Sequence, residues 1–496
     1  MKLRRGIVLI LSLILILNLG GCLIRTDKIP TLTVDDYNGV DINKIDHYII
    51  EVDFNPEKKM YWAHQKVYYI NNTALELDVI YFHLYPNAFK SMETAPILFT
   101  GRTISHEEYV PGYMEIEEIR LEKEEIQYEI GGVGDTILKL ILSKPLRPEE
   151  RVEIEFTYKV KLPTNIDRFG FGEDVYNFGN WYPIACVYDD SGWNLDPYYN
   201  LGDPFYSNIN NYQVIIKVPK DITVAASGNI ISEKVKGNFK IYVIEGKLIR
   251  DFAWVASPKF HVEERKIEDV VVRLYAMEDR PDLADYVLEV GRDSIQIFSS
   301  LFGKYPYGVY STVMTDFPSG MEYPSIVFIN KDYYKPNLKD PLEKVVVHET
   351  AHQWWYGIVG NDQIDEAWLD ESLATYSETL YIIHKYGDRE GENYFNYTCQ
   401  MPYDYGKSYI ESDVVVKPLS KFHSWEDYGL LVYVKGAIFL NEIKKDFGMA
   451  TLIQILNRYY DTYRFKIART EDFLRICEEV TNSSFKEKAQ LWLYGR

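Results

Sequence analysis

The feature that most limits what this chain can fold into is a change of hydrophobic period near residue 262. From Asp46 to about His261, apolar and polar residues alternate over short runs: His47 to Phe54, Met60 to Asn71, Asp78 to Tyr85, Met114 to Ile130 and Arg151 to Val160. Further runs follow at Tyr212 to Val218, Ile222 to Ala226, Phe239 to Glu245 and Phe252 to Ala256. Successive side chains of a strand face opposite sides, so this period in segments rich in tyrosine, isoleucine and valine predicts half-buried strands. Turn signals at Asn71 and Asn72, Gly131 and Gly132, and Ser227 to Asn229 separate them. The expectation is a mainly antiparallel, β-rich domain over residues 46–262. Its stretch from Phe169 to Pro204, dense in glycine, aspartate and aromatics, reads as a long loop of the kind that lines a site. After residue 262 the pattern becomes helical, with a stripe from Asp282 to Leu301, short strands near Tyr310 to Met314 and Ser325 to Ile329, and helical spacing to the end. Residues 263–496 therefore form a second, mainly helical domain.

The amino terminus has a different character. Lys2, Arg4 and Arg5 precede an apolar run from Gly6 to Leu19 that is too short for a comfortable membrane span, the pattern of an export signal over residues 1–21. It ends in Leu19, Gly20, Gly21 and Cys22, which resembles the lipobox of bacterial lipoproteins. That resemblance implies lipidation at Cys22, a tether over residues 22–45, and a body held on the outer face of a bacterial membrane. The 54 lysines and arginines against 74 acids give a net charge of -20, which excludes nucleic acid as an electrostatic partner. Beyond Cys22 only Cys186, Cys399 and Cys477 remain, an odd set without short paired spacing. They are expected as buried small residues rather than a disulfide scaffold.

The sharpest motif is His348, Glu349, Thr350, Ala351, His352, set in an apolar stretch from Leu342 to Gly357 that predicts a largely buried helix. Residues four apart share one helical face, so the two imidazoles can converge on one metal ion, while Glu349 projects about 100° around the helix. A zinc hydrolase needs a third protein ligand and an open position for water. A second helix predicted to start near Asp365 supplies it as Glu371, separated from His352 by 18 intervening residues. Glu378, seven residues past Glu371 and on the same helical face, is a candidate acceptor for the N–H of a ligand imidazole.

These spacings resemble the gluzincin metallopeptidases, and more narrowly the aminopeptidase N family. That family has glutamate in the same place within Trp-Leu-Asn-Glu-Gly, where this chain reads Trp368, Leu369, Asp370, Glu371, Ser372. Gly320, Met321, Glu322, Tyr323 is similar to the family's Gly-x-Met-Glu-Asn, and Tyr433, Val434, Lys435, Gly436 to its Tyr-x-Lys-Gly. The β-rich front half is similar to the family's saddle-shaped N-terminal domain, and residues 263–496 to its thermolysin-like catalytic domain. The resemblance implies one Zn²⁺ per chain held by His348, His352 and Glu371. It further implies Glu349 as general base and acid, Tyr433 as donor to the oxyanion, and Glu322 as partner of a peptide's free α-ammonium. A further amine-binding side chain is expected from the first domain, and the segment Trp181 to Trp193 offers Asp189 and Asp190. Only residues 434–496 follow Tyr433, so the family's large helical C-terminal domain is expected to be absent and the cleft more open. The implied activity is removal of N-terminal residues from peptides. The alternatives are thermolysin-like endopeptidase action and a non-catalytic, peptide-binding surface lipoprotein.

Overall fold

A computed structural model describes residues 29–96, 108–164, 167–277 and 281–495. The export signal and Cys22 lie outside the described residues.

The first domain is built on an eight-stranded sheet. Its spatial order is Asn229–Lys236, Phe239–Ile249, Asn210–Pro219, His47–Asn55, Met60–Ile70, Arg151–Lys161, Tyr113–Leu121 and Glu124–Glu125. Every neighbouring pair is antiparallel except His47–Asn55 beside Asn210–Pro219. The alternation seen in sequence is the burial pattern: Tyr48, Ile50, Val52 and Phe54 point inward on one strand, Ile154, Phe156, Tyr158 and Val160 on another. Two four-stranded sheets pack against this one. Their shared core is aromatic, with Phe178 and Trp254 stacked at 3.5 Å between ring centroids and Trp181 and Phe54 edge-on to Trp254. Full burial of each such ring contributes roughly 1.5–3 kcal/mol. The run from Met114 to Ile130 is not one strand. Glu122 and Lys123 take positive φ and turn the chain, so that Gln127–Gly131 pairs into a different sheet from Tyr113–Leu121.

The second domain opens with a five-stranded sheet in the order His261–Ile267, Val270–Ala276, Val309–Thr315, Ile326–Asn330 and Gly320–Met321, the last pairing antiparallel as the edge strand. Helix α1 (Pro281–Leu301) makes the crossover between parallel strands Val270–Ala276 and Val309–Thr315. Helix α2 (Lys339–Ala351) packs between α1, the sheet edge and helix α3 (Trp368–Tyr386), and helices fill most of the remainder. Cys186, Cys399 and Cys477 are buried and unbridged. Among the described residues no helix is long and apolar enough to cross a membrane.

Two features lock the domains together. Arg250, fully buried and without an acidic partner among the described residues, donates to four backbone carbonyls: Tyr356 (2.7 Å), Ser207 (3.2 Å), Ile358 (3.3 Å) and Lys466 (2.5 Å). A charged donor to several carbonyls holds backbone that would otherwise be buried unpaired, here the turn just after α2, where Tyr356 sits at φ 111°. The second is the described part of the stretch read as a tether. Thr31 donates to Glu245 of the first domain (2.6 Å), Thr33 pairs with the backbone at Tyr305 and Pro306, and Asn38 caps the carbonyls of Thr462 and Arg464. Residues 29–45 are thus a strap laid across both domains, because Leu32, Val34, Tyr37, Val40 and Ile42 are apolar and find core to cover.

Candidate metal centre

The metal-binding face begins with α2, whose Leu342, Val346, Val347 and Ala351 are buried while Asp340 sits in the first turn, favourable to the helix dipole. The helix ends at Ala351, earlier than the apolar stretch to Gly357 suggests. His352 keeps its helical bond to the His348 carbonyl (3.3 Å), but the chain then tightens through three-residue bonds, Gln353 to Thr350 and Trp354 to Ala351. That tightening brings the Trp355 carbonyl to 3.0 Å from His352 Nδ1, which orients the imidazole.

Three ligand-type atoms converge. His348 Nε2 and His352 Nε2 lie 3.1 Å apart, and each is 3.2 Å from Glu371 Oε2. Donor atoms this close together on the cavity wall could hold one zinc ion, which takes such ligands at ~2.0–2.1 Å. Two imidazoles and a carboxylate are also the donor chemistry that zinc takes in hydrolytic sites. Glu371 rises from the first turn of α3, which starts at Trp368 rather than near Asp365, because the Asp362 carboxylate first accepts from the Ile364 and Asp365 amides. Burial pushes the Glu371 carboxyl up, but His352 and His348 outweigh it and hold the group below its usual range.

The outer partners are in place. Glu378 Oε1 is 2.7 Å from His348 Nδ1, and Tyr394 donates to the other Glu378 oxygen. Glu349 is buried beside the triad, and burial raises its carboxyl to about 7 against the pull of both histidines. Its position depends on Gly320 of the sheet edge, where an added Cβ would fall 2.1 Å from Glu349 Oε1. Tyr433 stacks on His348 and donates to Glu371 Oε1 at 2.5 Å. It is carried by a wide, π-helical turn, Gly429–Lys435, whose Val432 carbonyl accepts from the Ser372 hydroxyl. That hydroxyl occupies the space left by Gly436, where a Cβ would lie 1.8 Å from Ser372 Oγ. Asp370 is tied by Asn361 (2.9 Å) and Gln363 (2.7 Å).

Glu322 follows the edge strand directly and is buried, with an oxygen grouped within 4.8 Å of atoms of Glu349 and His352. Burial, then the nearby Asp203, push its carboxyl well up. Tyr323 anchors this corner, donating to Asn180 Oδ1 of the first domain at 3.0 Å above Gly179. All seven chemistry-bearing residues singled out in the body sequence therefore line one cavity of about 690 Å³: His348, His352, Glu371, Glu349, Tyr433, Glu322 and Glu378.

The first domain contributes to that wall through Asp203 and Arg168, which bond each other at 2.5 Å. Asp189 and Asp190 are turned elsewhere and pair with Arg469 at 3.5 and 3.3 Å. The stretch from Phe169 to Pro204, expected as a long loop, instead carries short strands at Phe169–Phe171, Tyr176–Phe178, Ile184–Ala185, Tyr188–Asp189 and Gly192–Trp193, and it reaches the site with its last aspartate. Its one local mark in sequence is the turn of Gly202, Asp203 and Pro204.

Residues 286–492 match the Peptidase family M1 domain. Aminopeptidase M1-A of Oryza sativa subsp. japonica is 23% identical over 416 residues, covering 80% of this chain and 47% of that protein. Endoplasmic reticulum aminopeptidase 1 of Mus musculus is 24% identical over 265 residues, 51% of this chain and 28% of the relative. The chain spans less than half the length of these curated relatives. The M1 zinc metallopeptidase from Deinococcus radiodurans superposes with a TM-score of 0.66 at 16% identity, covering 91% of this chain and 94% of the other. A mutant of that protein with a Tyr-Ser-Ala substrate bound superposes at 0.62 and 15% identity, with the same coverage of both chains. The shared fold is a β-rich first part followed by a helical one, and the part of this chain that matches the Peptidase family M1 domain, residues 286–492, carries the donor set of a zinc metallopeptidase.

Proposed function

We propose that this chain is a zinc-dependent peptidase that removes residues from the free amino terminus of peptides. Bound zinc supplies Lewis acidity and makes water a nucleophile near neutral pH. His348, His352 and Glu371 hold it, and Glu378 and the Trp355 carbonyl keep the two imidazoles aligned. Glu349 takes the proton of the attacking water and passes it to the leaving amine, a task suited to a carboxyl raised to about 7. Tyr433 turns its hydroxyl from Glu371 Oε1 to the oxyanion that develops in the transition state.

The observation that carries the amino-terminal specificity is Glu322. It is a buried carboxylate at the His352 end of the site, with Gln363 Nε2 at 3.3 Å as its side-chain donor and no ion pair among the described residues. A buried acid without a counter-charge is costly, and an α-ammonium placed there relieves the cost while setting the first peptide bond at the zinc ligands. Asp203 adds a second acid on the same side. Together they favour an exopeptidase over an endopeptidase.

Matched peptides with free and acetylated amino termini test the reading. The free form is expected to be cleaved and the acetylated form left intact. Glu322→Ala is expected to lower kcat/KM on the free form by on the order of 10², with zinc content unchanged. Internal cleavage of both forms, insensitive to Glu322→Ala, would make the enzyme an endopeptidase.

We further propose that Cys22 carries lipid and holds the body on the outer face of a bacterial membrane. The support is the signal-like segment and its Leu19 to Cys22 ending. Cys22→Ser is expected to release the protein from the membrane fraction and to abolish the lipid mass at the mature amino terminus. Unchanged retention and mass would point to an uncleaved signal anchor.

A further inference from the structure

A peptide bound by its ammonium carries a second charge at its other end, and one cation on the cavity wall makes no ion pair among the described residues. Of the two lysine or arginine side chains there, Arg168 is committed, to Asp203 at 2.5 Å and to the Gly202 carbonyl at 2.9 Å. Lys344 makes no ion pair or side-chain hydrogen bond among the described residues. Its ammonium lies 4.7 Å from the ring centroid of Tyr394, a ring itself fixed by its hydroxyl on Glu378.

The order of groups along α2 gives a direction. Glu322 clusters with Glu349 and His352, at the C-terminal end of the helix. His348 lies one turn back and Lys344 one turn further, on the same face. At ~1.5 Å per residue, the eight residues from His352 to Lys344 cover about 12 Å. A peptide with its ammonium at Glu322 and its first peptide bond at the three zinc ligands therefore runs towards Lys344. An extended residue advances ~3.3–3.6 Å, so a chain ending one or two residues past the scissile bond places its carboxylate within reach of the long lysine side chain. Lys344 also lines an adjoining cavity of about 560 Å³, together with Asp340, Glu343, Glu378 and Glu390, so a carboxylate that runs past the lysine into that cavity meets like charge.

We propose that Lys344 receives the C-terminal carboxylate of the substrate and that the site selects di- and tripeptides with a free carboxyl end. This rests on the amino-terminal reading of the same site, and the test separates the two. Zinc-loaded enzyme is given one free-amine tripeptide as its acid and as its C-terminal amide. The acid is expected to exceed the amide in kcat/KM by about tenfold or more, chiefly through KM, as loss of a charge-assisted contact predicts. In Lys344→Met the ratio is expected to fall to about one, and in Lys344→Arg to be largely kept. Equal rates on acid and amide in the wild type, or a preference that survives Lys344→Met, would overturn the role of Lys344 while leaving the aminopeptidase reading intact. Failure to cleave either free-amine tripeptide while zinc is bound would overturn both.

Discussion

Replacing His348 by alanine is expected to leave a folded protein that no longer retains zinc and hydrolyses peptides no faster than the chelator-treated wild type. The ligand atoms are mutually 3.1 to 3.2 Å apart, so each supplies a third of the coordination and none has a nearby substitute on the His348 side. The second cluster of potential ligands, Glu322, Glu349 and His352, shares only His352 with the first. Loss of an outer partner of a metal ligand typically costs 10–100-fold in affinity, and loss of a ligand itself costs more. The substitution also strands Glu378, whose oxygen sits 2.7 Å from the removed ring, but Tyr394 still donates to that carboxylate, so folding should survive. Metal analysis after dialysis is the direct measurement. Near-stoichiometric zinc with retained hydrolysis in His348→Ala would place the metal and the chemistry elsewhere.

What the sequence made legible was local and periodic. Two histidines four apart on a helix must share a face, and Glu378 had to follow Glu371 on one side of α3, so those contacts could be expected from helical geometry. The alternation of Tyr48, Ile50, Val52 and Phe54 likewise fixed which side of that strand is core. What could not be seen was brought together by the docking of the two domains. Asp203 lies 168 residues before Glu371 in sequence and carries no motif, and the turn of Gly202, Asp203 and Pro204 does not by itself mark it out over Asp189 or Asp190. The departures from the aminopeptidase N pattern were equally opaque until packing was known. Ser372 fits because position 436 has no side chain, and Tyr323 fits because Gly179 of the other domain leaves room for its phenol. The strap over residues 29–45 shows the same limit: its polar residues suggested a tether, whereas its alternating apolar ones are what seat it on both domains.

Glu349→Gln should separate metal binding from chemistry. The glutamine is nearly isosteric and can occupy the space beside Gly320, where a Cβ would already come within 2.1 Å of the native Oε1. It ligates nothing in the His348, His352 and Glu371 triad, so zinc content is expected to stay near one per chain. It cannot accept the proton of the attacking water, and turnover is expected to fall by on the order of 10² to 10⁴, the usual worth of a positioned general base. The loss should appear in kcat with KM little changed, because the contact is made in the transition state rather than with bound substrate. Tyr433→Phe is expected to fall by on the order of 10² for a different reason, loss of one oxyanion donor. The two variants differ in a way that tests their roles, because Tyr433 also holds Glu371 Oε1 at 2.5 Å whereas Glu349 makes no hydrogen bond to Glu371 among the described residues. Tyr433→Phe should therefore weaken zinc retention measurably, and Glu349→Gln should not. Wild-type turnover in a zinc-loaded Glu349→Gln protein would remove Glu349 from the proton path and leave the raised carboxyl without a catalytic task.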